Sequence, residues 1–153
     1  MIAIRRILAP TDFSGNSISA IRYAAELADK FDAELVLLHV VQDTVLVLPD
    51  AVMPTPVPVP DLNEMTAAAR SGLAKLVADL NLGRLNPKAE VRVGVPAAEI
   101  DAAAKDLQAD LICVSTHGRT GLAHLLLGSV AGKIVRYAPC PVLVVRPMNK
   151  DSG

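Results

Sequence analysis

Short, almost unbroken apolar runs alternate along this chain with longer stretches in which apolar residues recur every three or four positions. Ile4 to Ala9 is the first run. Ser17 to Phe31 follows, with Ile18, Ile21, Ala25, Ala28 and Phe31 on one face of an expected helix. Leu35 to Val41 is nearly continuous apolar sequence, the mark of a strand covered on both faces, and such strands belong to parallel sheets. Leu62, Met65, Ala69, Leu73, Leu76 and Leu80 mark a second helix, which Gly83 can close with a left-handed cap. From Ala89 to Val95 the valines at 91, 93 and 95 alternate with Glu90, Arg92 and Gly94, so one face meets solvent, as at a sheet edge. Pro96 opens a short helix to Asp106. Leu111 to Val114 reads as a fourth strand, Ser129 to Tyr137 as the last helix and Val142 to Val145 as a fifth strand.

This β-α-β-α-β-α-β-α-β order predicts an α/β fold, an open parallel sheet with helices on both faces and right-handed crossovers. One domain is expected over residues 1–153. The stretch from Gln42 to Asp61 carries Pro49, Pro54, Pro56, Pro58 and Pro60, which remove backbone donors and predict a long loop. A surface excursion without chemical role, a nucleotide lid and a partner-contact segment all remain open for it. The fifth strand is apolar at four successive positions yet must lie at an edge. It predicts an isologous homodimer built around Val142, Leu143, Val144 and Val145, with cover by the C-terminal tail as the alternative.

At 153 residues, 52% hydrophobic and a formal charge of −1, the chain can fill a core without an obligatory metal or disulfide. Its 15 basic and 16 acidic residues are interspersed, which argues against nucleic acid or an anionic membrane as partner. Trp is absent and only two Phe and two Tyr occur, so the core must be aliphatic and aromatic stacking is not an expected recognition mode. Cys113 and Cys140 show neither C-x-x-C spacing nor a metal-ligand cluster, and both are expected as reduced thiols. No apolar run reaches transmembrane length and the first residues lack the order of a signal peptide, which gives a cytoplasmic expectation.

In a doubly wound sheet the ligand crevice lies beyond the carboxyl ends of the strands where chain order reverses, flanked by the first and fourth strands. Pro10-Thr11-Asp12 and the stretch from Ser115 to Ser129 should therefore converge. Gly118, Gly128 and Ser129 can offer backbone amides to phosphate oxygens at the start of a helix, the Ser129 hydroxyl adds a donor, and Arg119 can add a charge-assisted contact. Ordinary turn geometry at Gly118 and an N-cap role for Ser129 stand beside that reading. Asp12 can accept from an adenine amino group or a ribose hydroxyl, hold a divalent ion beside phosphates, or simply cap the first helix. The Val40 backbone sits where it can read a purine edge. His117 is open between ligand contact and a solvent-facing place; His39 is expected to pack at a strand end and His124 to lie on the surface. The segment Gly128-Ser-Val-Ala-Gly132-Lys133 is one residue short of a Walker loop, and no G-x-G-x-x-G follows the first strand. No nucleophile, base and orienting acid assemble from the spacing.

Taken together, Ile7-Leu-Ala-Pro-Thr-Asp12-Phe-Ser, Leu37-Leu-His-Val40, Val95-Pro-Ala-Ala-Glu-Ile100, Ser115 to Ser129 and Ala138-Pro-Cys-Pro-Val-Leu-Val-Val145 resemble the universal stress protein family over essentially the whole chain. The nucleotide-binding branch of that family carries G-x2-G-x9-G-[ST]; here it reads Ser115-x2-Gly118-x9-Gly128-Ser129, with Ser115 in place of the first glycine. By this resemblance Pro10, Thr11, Asp12 and Val40 would surround adenosine. Val114, Ser115, His117, Gly118, Arg119, Gly128, Ser129 and Val130 would approach ribose and phosphates. The resemblance also implies a flavodoxin-like or adenine nucleotide alpha hydrolase-like sheet with strand order 3-2-1-4-5, dimerisation through the last strand, and a stress-survival role with a protein partner it does not identify. The function it implies is a switch that binds ATP or another adenine nucleotide, with magnesium accompanying the phosphates. A slow ATPase at the same site and a nucleotide-free dimeric adaptor are the alternatives.

Overall fold

In the computed structural model, five strands pair in parallel: β1 (Arg6–Pro10), β2 (Glu34–Val41), β3 (Lys88–Val93), β4 (Leu111–Ser115) and β5 (Val142–Val145). Their order is β3-β2-β1-β4-β5, as expected, so the direction of winding reverses between β1 and β4. The α-helices among the described residues are α1 (Gly15–Phe31), α2 (Leu62–Asp79), α3 (Pro96–Asp106) and α4 (Ser129–Tyr137), with a 3-10 turn at Gly83–Leu85. The structure describes residues 1–42, 61–117 and 127–147. The expectations for the proline-rich loop, Gly118, Arg119 and His124 therefore fall outside the described residues.

Strand alternation sorts the core into two layers. Ile7, Ala9, Leu35, Leu37 and Cys113 point to one face, where Ile21 of α1 and Leu73 of α2 pack on them. Leu8, Val36, Leu38, Ile112 and Val114 point to the other, against Ile100 of α3 and Ile134 of α4. Each fully buried Leu or Ile contributes about 1.5–3 kcal/mol relative to exposure, so both faces must be covered for the sheet to persist. None of the described helices is long and apolar enough to cross a membrane.

Local chemistry moved several boundaries. β1 begins at Arg6 rather than Ile4, although Ile4 still packs on the core. Ser14, not Asp12, caps α1: its side chain accepts from Ser17 N. Phe31, expected on the buried face of α1, is half exposed, because the helix ends there in a left-handed Asp32 and the ring has no layer left to enter. α2 closes through left-handed Asn81 rather than Gly83: Asn81 N donates to Ala78 O, Leu82 N donates to Val77 O, and Leu82 is buried behind them. That is the Schellman arrangement with Asn in the glycine position. β3 stops at Val93, two residues before the expected end, and lies at an edge as its alternating pattern required.

Burial pushes the Cys113 thiol up to about 12, and burial together with Asp110 and Asp101 pushes the Cys140 thiol up, so neither favours the reactive thiolate. Asp101 on α3 holds a buried Oδ1 with no hydrogen-bond partner among the described residues, and burial raises its carboxyl above the ordinary 3.8. A raised carboxyl binds its proton more tightly folded than unfolded. The stability it contributes is complete below the ordinary Asp range and is lost as pH rises through the folded value. Asp101→Asn is expected to raise the urea midpoint at neutral pH, with the gain shrinking in acid; a lower midpoint at neutral pH, or a gain independent of pH, would contradict this.

Candidate functional site

The site begins where β1 runs out. Thr11 is 6% exposed, and every one of its polar atoms is paired. Its N–H donates to Leu38 O (2.8 Å) and its hydroxyl meets Ser17 Oγ (2.8 Å), which itself donates to Ser14 O. Thr11 Oγ1 also accepts from Phe13 N (2.9 Å), and Thr11 O lies 2.8 Å from His39 Nδ1. A carbonyl only accepts, so Nδ1 carries the proton and the neutral ring keeps Nε2 as an acceptor. One residue on, Asp12 Oδ1 accepts from Ser14 N (3.0 Å).

This tight turn drives Phe13 into the left-handed region at φ 64, a conformation that costs a bulky residue roughly 1–3 kcal/mol. Three neighbours hold it there. Thr11 Oγ1 takes its N–H, the His39 ring lies 4.6 Å from its own at 37°, and α2 approaches it at Gly72. A β-carbon at Gly72 would stand 2.9 Å from Phe13 Cζ, so the ring occupies the space a side chain there would need.

The opposite wall comes from β4 and α4. The Ser115 hydroxyl donates to His117 O and accepts from His117 N (3.2 Å), closing a local turn. Thr116, 5% exposed, donates its N–H to Val145 O (3.1 Å) and accepts from Gly128 N (2.6 Å). His117 Nδ1 lies 3.2 Å from Thr116 Oγ1. A β-carbon on Gly128 would meet Thr116 O at 3.2 Å, which explains a glycine at this close crossing. Gly128 is the N-cap and supplies no side-chain cap, while Ser129 is the first helical residue; the N-cap reading of Ser129 is thereby excluded. The ladder starts with Gly132 N donating to Gly128 O, so the N–H groups of Ser129, Val130 and Ala131 precede it. They carry the positive end of the helix dipole.

Between these walls lies a cavity of about 960 Å³, at the upper end of small-molecule pockets. Ten of the twelve expected site residues line it. Pro10, Thr11, Asp12 and Val40 come from the β1 and β2 ends; Val114, Ser115 and His117 come from β4 and its exit; Gly128, Ser129 and Val130 come from the start of α4. Gly118 and Arg119 lie outside the described residues. The sequence reading did not find Phe13, Met65, Ala68 and Gly72, which also line the cavity, and it gave His39 only a packing role. Phe13 stands next to Asp12 in the same motif, which was the one available signal; the reach of α2 over the strand ends is a tertiary fact. Asp12 is the single carboxylate among the described lining residues, and no group of three His, Cys, Asp or Glu among the described residues is arranged for a metal.

The family model of the universal stress proteins matches residues 3–146. Universal stress protein MJ0531 of Methanocaldococcus jannaschii is 35% identical over 148 residues, covering 96% of this chain and 85% of the relative. Among solved structures, universal stress protein UspA from Lactobacillus plantarum superposes with a TM-score of 0.71 at 25% identity, covering 94% of this chain and 99% of that one. A universal stress protein in complex with cAMP superposes with a TM-score of 0.63 at 22% identity, covering 94% and 98%. With the 3-2-1-4-5 sheet and a family match spanning almost its full length, this chain belongs to the universal stress protein family.

Proposed function

We propose that the cavity binds an adenine nucleotide and that occupancy is read by a protein partner as a stress-response switch. The observation that carries this is the start of α4, where N–H groups without a side-chain cap border a cavity at the point where the sheet order reverses. Phosphates would lie against Gly128 and Ser129, and adenosine would cross the ends of β4 and β1 toward Val40. A universal stress protein of the same fold was solved in complex with cAMP, which supports the ligand class. Magnesium would arrive with a polyphosphate. Asp12, the one carboxylate among the described lining residues, would lie on the same side of the cavity as that ion, which would be held mainly by phosphates and water. Ser115 lines the cavity, and with its hydroxyl engaged by His117 it would leave the approach to the phosphates open.

Calorimetry of nucleotide-free protein with ATP, ADP, AMP and cAMP is expected to give saturable binding for at least one of them; no binding to any would end this reading. Gly128→Val is expected to weaken binding at least tenfold, roughly the worth of one or two phosphate hydrogen bonds, with an unchanged circular dichroism spectrum. Its β-carbon would force α4 away from Thr116 O and displace the N–H groups.

A homodimer is the second part of this reading, supported by β5, which closes one end of the sheet. Ile112 N donates to Pro141 O and Thr116 N to Val145 O, so alternate residues pair inward and the backbone of Val142 and Val144 faces outward. We infer that a second copy pairs along this edge. Sedimentation at micromolar concentration is expected to give a dimer, and Val144→Pro, which removes one outward donor per copy, is expected to raise the dimer dissociation constant about tenfold or more. A monomeric wild-type protein would overturn it.

A further inference from the structure

The solvent-facing side of α4 carries two cations that the site described above does not use. Beside the large cavity lies a smaller one of about 230 Å³, lined by Gly128, Ser129, Gly132, Lys133, Arg136 and Tyr137. Gly128 and Ser129 line both, so the two cavities share a rim at the start of the helix. Lys133 and Arg136 follow Ser129 by one and two helical turns, on the face opposite buried Ala131 and Ile134, and both are exposed. Long side chains on a helix lean toward its N-terminus, here the end at which phosphates would lie. Neither cation forms an ion pair with a described residue, whereas Arg6, Lys75, Arg84, Lys88 and Arg92 all do. Gly132 keeps the space beside them open. A β-carbon there would meet nothing within 4 Å, so the described packing does not call for a glycine, which weakens a helix interior relative to Ala.

We propose that Lys133 and Arg136 receive the outermost phosphate of a nucleotide polyphosphate, so that the site selects its ligand by phosphate number. The assignment rests on the nucleotide reading above and adds to it the groups that distinguish ATP from AMP. A single phosphate ends at the N–H groups of the helix start. Further phosphates continue past Ser129 into the smaller cavity, where two cations with no competing carboxylate among the described residues make charge-assisted hydrogen bonds to their oxygens. Lys brings a compact point charge and Arg a planar fork, and a terminal phosphate has oxygens enough for both. An acidic side chain of a partner would also be attracted to this pair, but the shared rim with the cavity that holds the rest of the nucleotide favours a phosphate of the same ligand.

The test is calorimetric titration of ATP and AMP into the wild type and the Lys133→Met/Arg136→Met double variant in magnesium-free buffer, where the added phosphates meet only the protein's own cations. Both side chains are exposed, so the variant is expected to keep the wild-type circular dichroism spectrum. The wild type is expected to bind ATP about tenfold or more tightly than AMP, and the variant to bind both at about the wild-type AMP affinity. Added salt is expected to weaken ATP binding more steeply in the wild type than in the variant, because the pair is exposed to screening ions. A wild type indifferent to phosphate number, a variant that keeps the wild-type ATP-to-AMP ratio, a variant that loses AMP binding as far as ATP binding, or equal salt dependence in the two proteins overturns the assignment while leaving nucleotide binding by the wild type intact. A wild type that binds neither nucleotide overturns the nucleotide reading and this one with it.

Discussion

Thr11 is the constraint on which the site depends. At the reversal of a parallel sheet, the central strand must end between neighbours whose connections run to opposite faces, and its next residue has polar groups beyond the reach of the ladder. Thr11 lies buried at that place and pairs every one of those groups: one to β2, two within the turn into α1, and one to the His39 ring. Asp12, Phe13 and Ser14 take their positions from it. A hydrogen bond of this kind contributes only about 1 kcal/mol net, but leaving a buried partner unpaired costs more. Four such bonds meeting on one residue make the turn a single arrangement rather than a family of them.

The second wall depends on a close approach instead of a network. Gly128 crosses Thr116 O so closely that a β-carbon would crowd it at 3.2 Å, and that crossing sets the start of α4 beside the cavity. Thr116 in turn is tied to the end of β5 through Val145 O. The edge strand at which a second copy would pair is therefore two hydrogen bonds from the helix start at which phosphates would bind. That connection gives a physical route by which occupancy and assembly could influence each other.

The alternation of apolar runs was enough to read the five strands, the four helices and the two layers, because burial on both faces leaves no freedom in where the aliphatic residues point. Details decided by competing local chemistry were less legible. Ser14 and Asp12 are both good capping residues two positions apart, and the hydrogen bonding of Thr11 chose Ser14. Asn81 and Gly83 both tolerate the left-handed region, and the buried Leu82 chose Asn81. Of the described cavity-lining residues, Pro10, Thr11, Asp12, Ser115, His117, Gly128 and Ser129 stand in motifs the sequence displays. Met65, Ala68 and Gly72 could not be read in this way, since their helical spacing explains packing equally well and only the tertiary fold brings α2 over the strand ends.

The scarcity of aromatic residues gives the placement of Phe13 its meaning. The largest fully buried side chains are aliphatic or Cys113, and neither of the chain's two Phe is among them: Phe31 is half exposed and Phe13 only partly buried. Phe13 packs against the edge of the core layer under α1 and α2 rather than inside it. The same residue carries a positive φ that a smaller or more flexible residue would adopt at lower cost, and it occupies space that α2 leaves open with a glycine. Backbone strain persists only where the surroundings over-determine it, and here those surroundings are the His39 ring, the Thr11 hydroxyl and Gly72, all lining one cavity. The chain thus holds one of its two Phe rings, at this cost, both against the edge of the core and in the wall of the cavity.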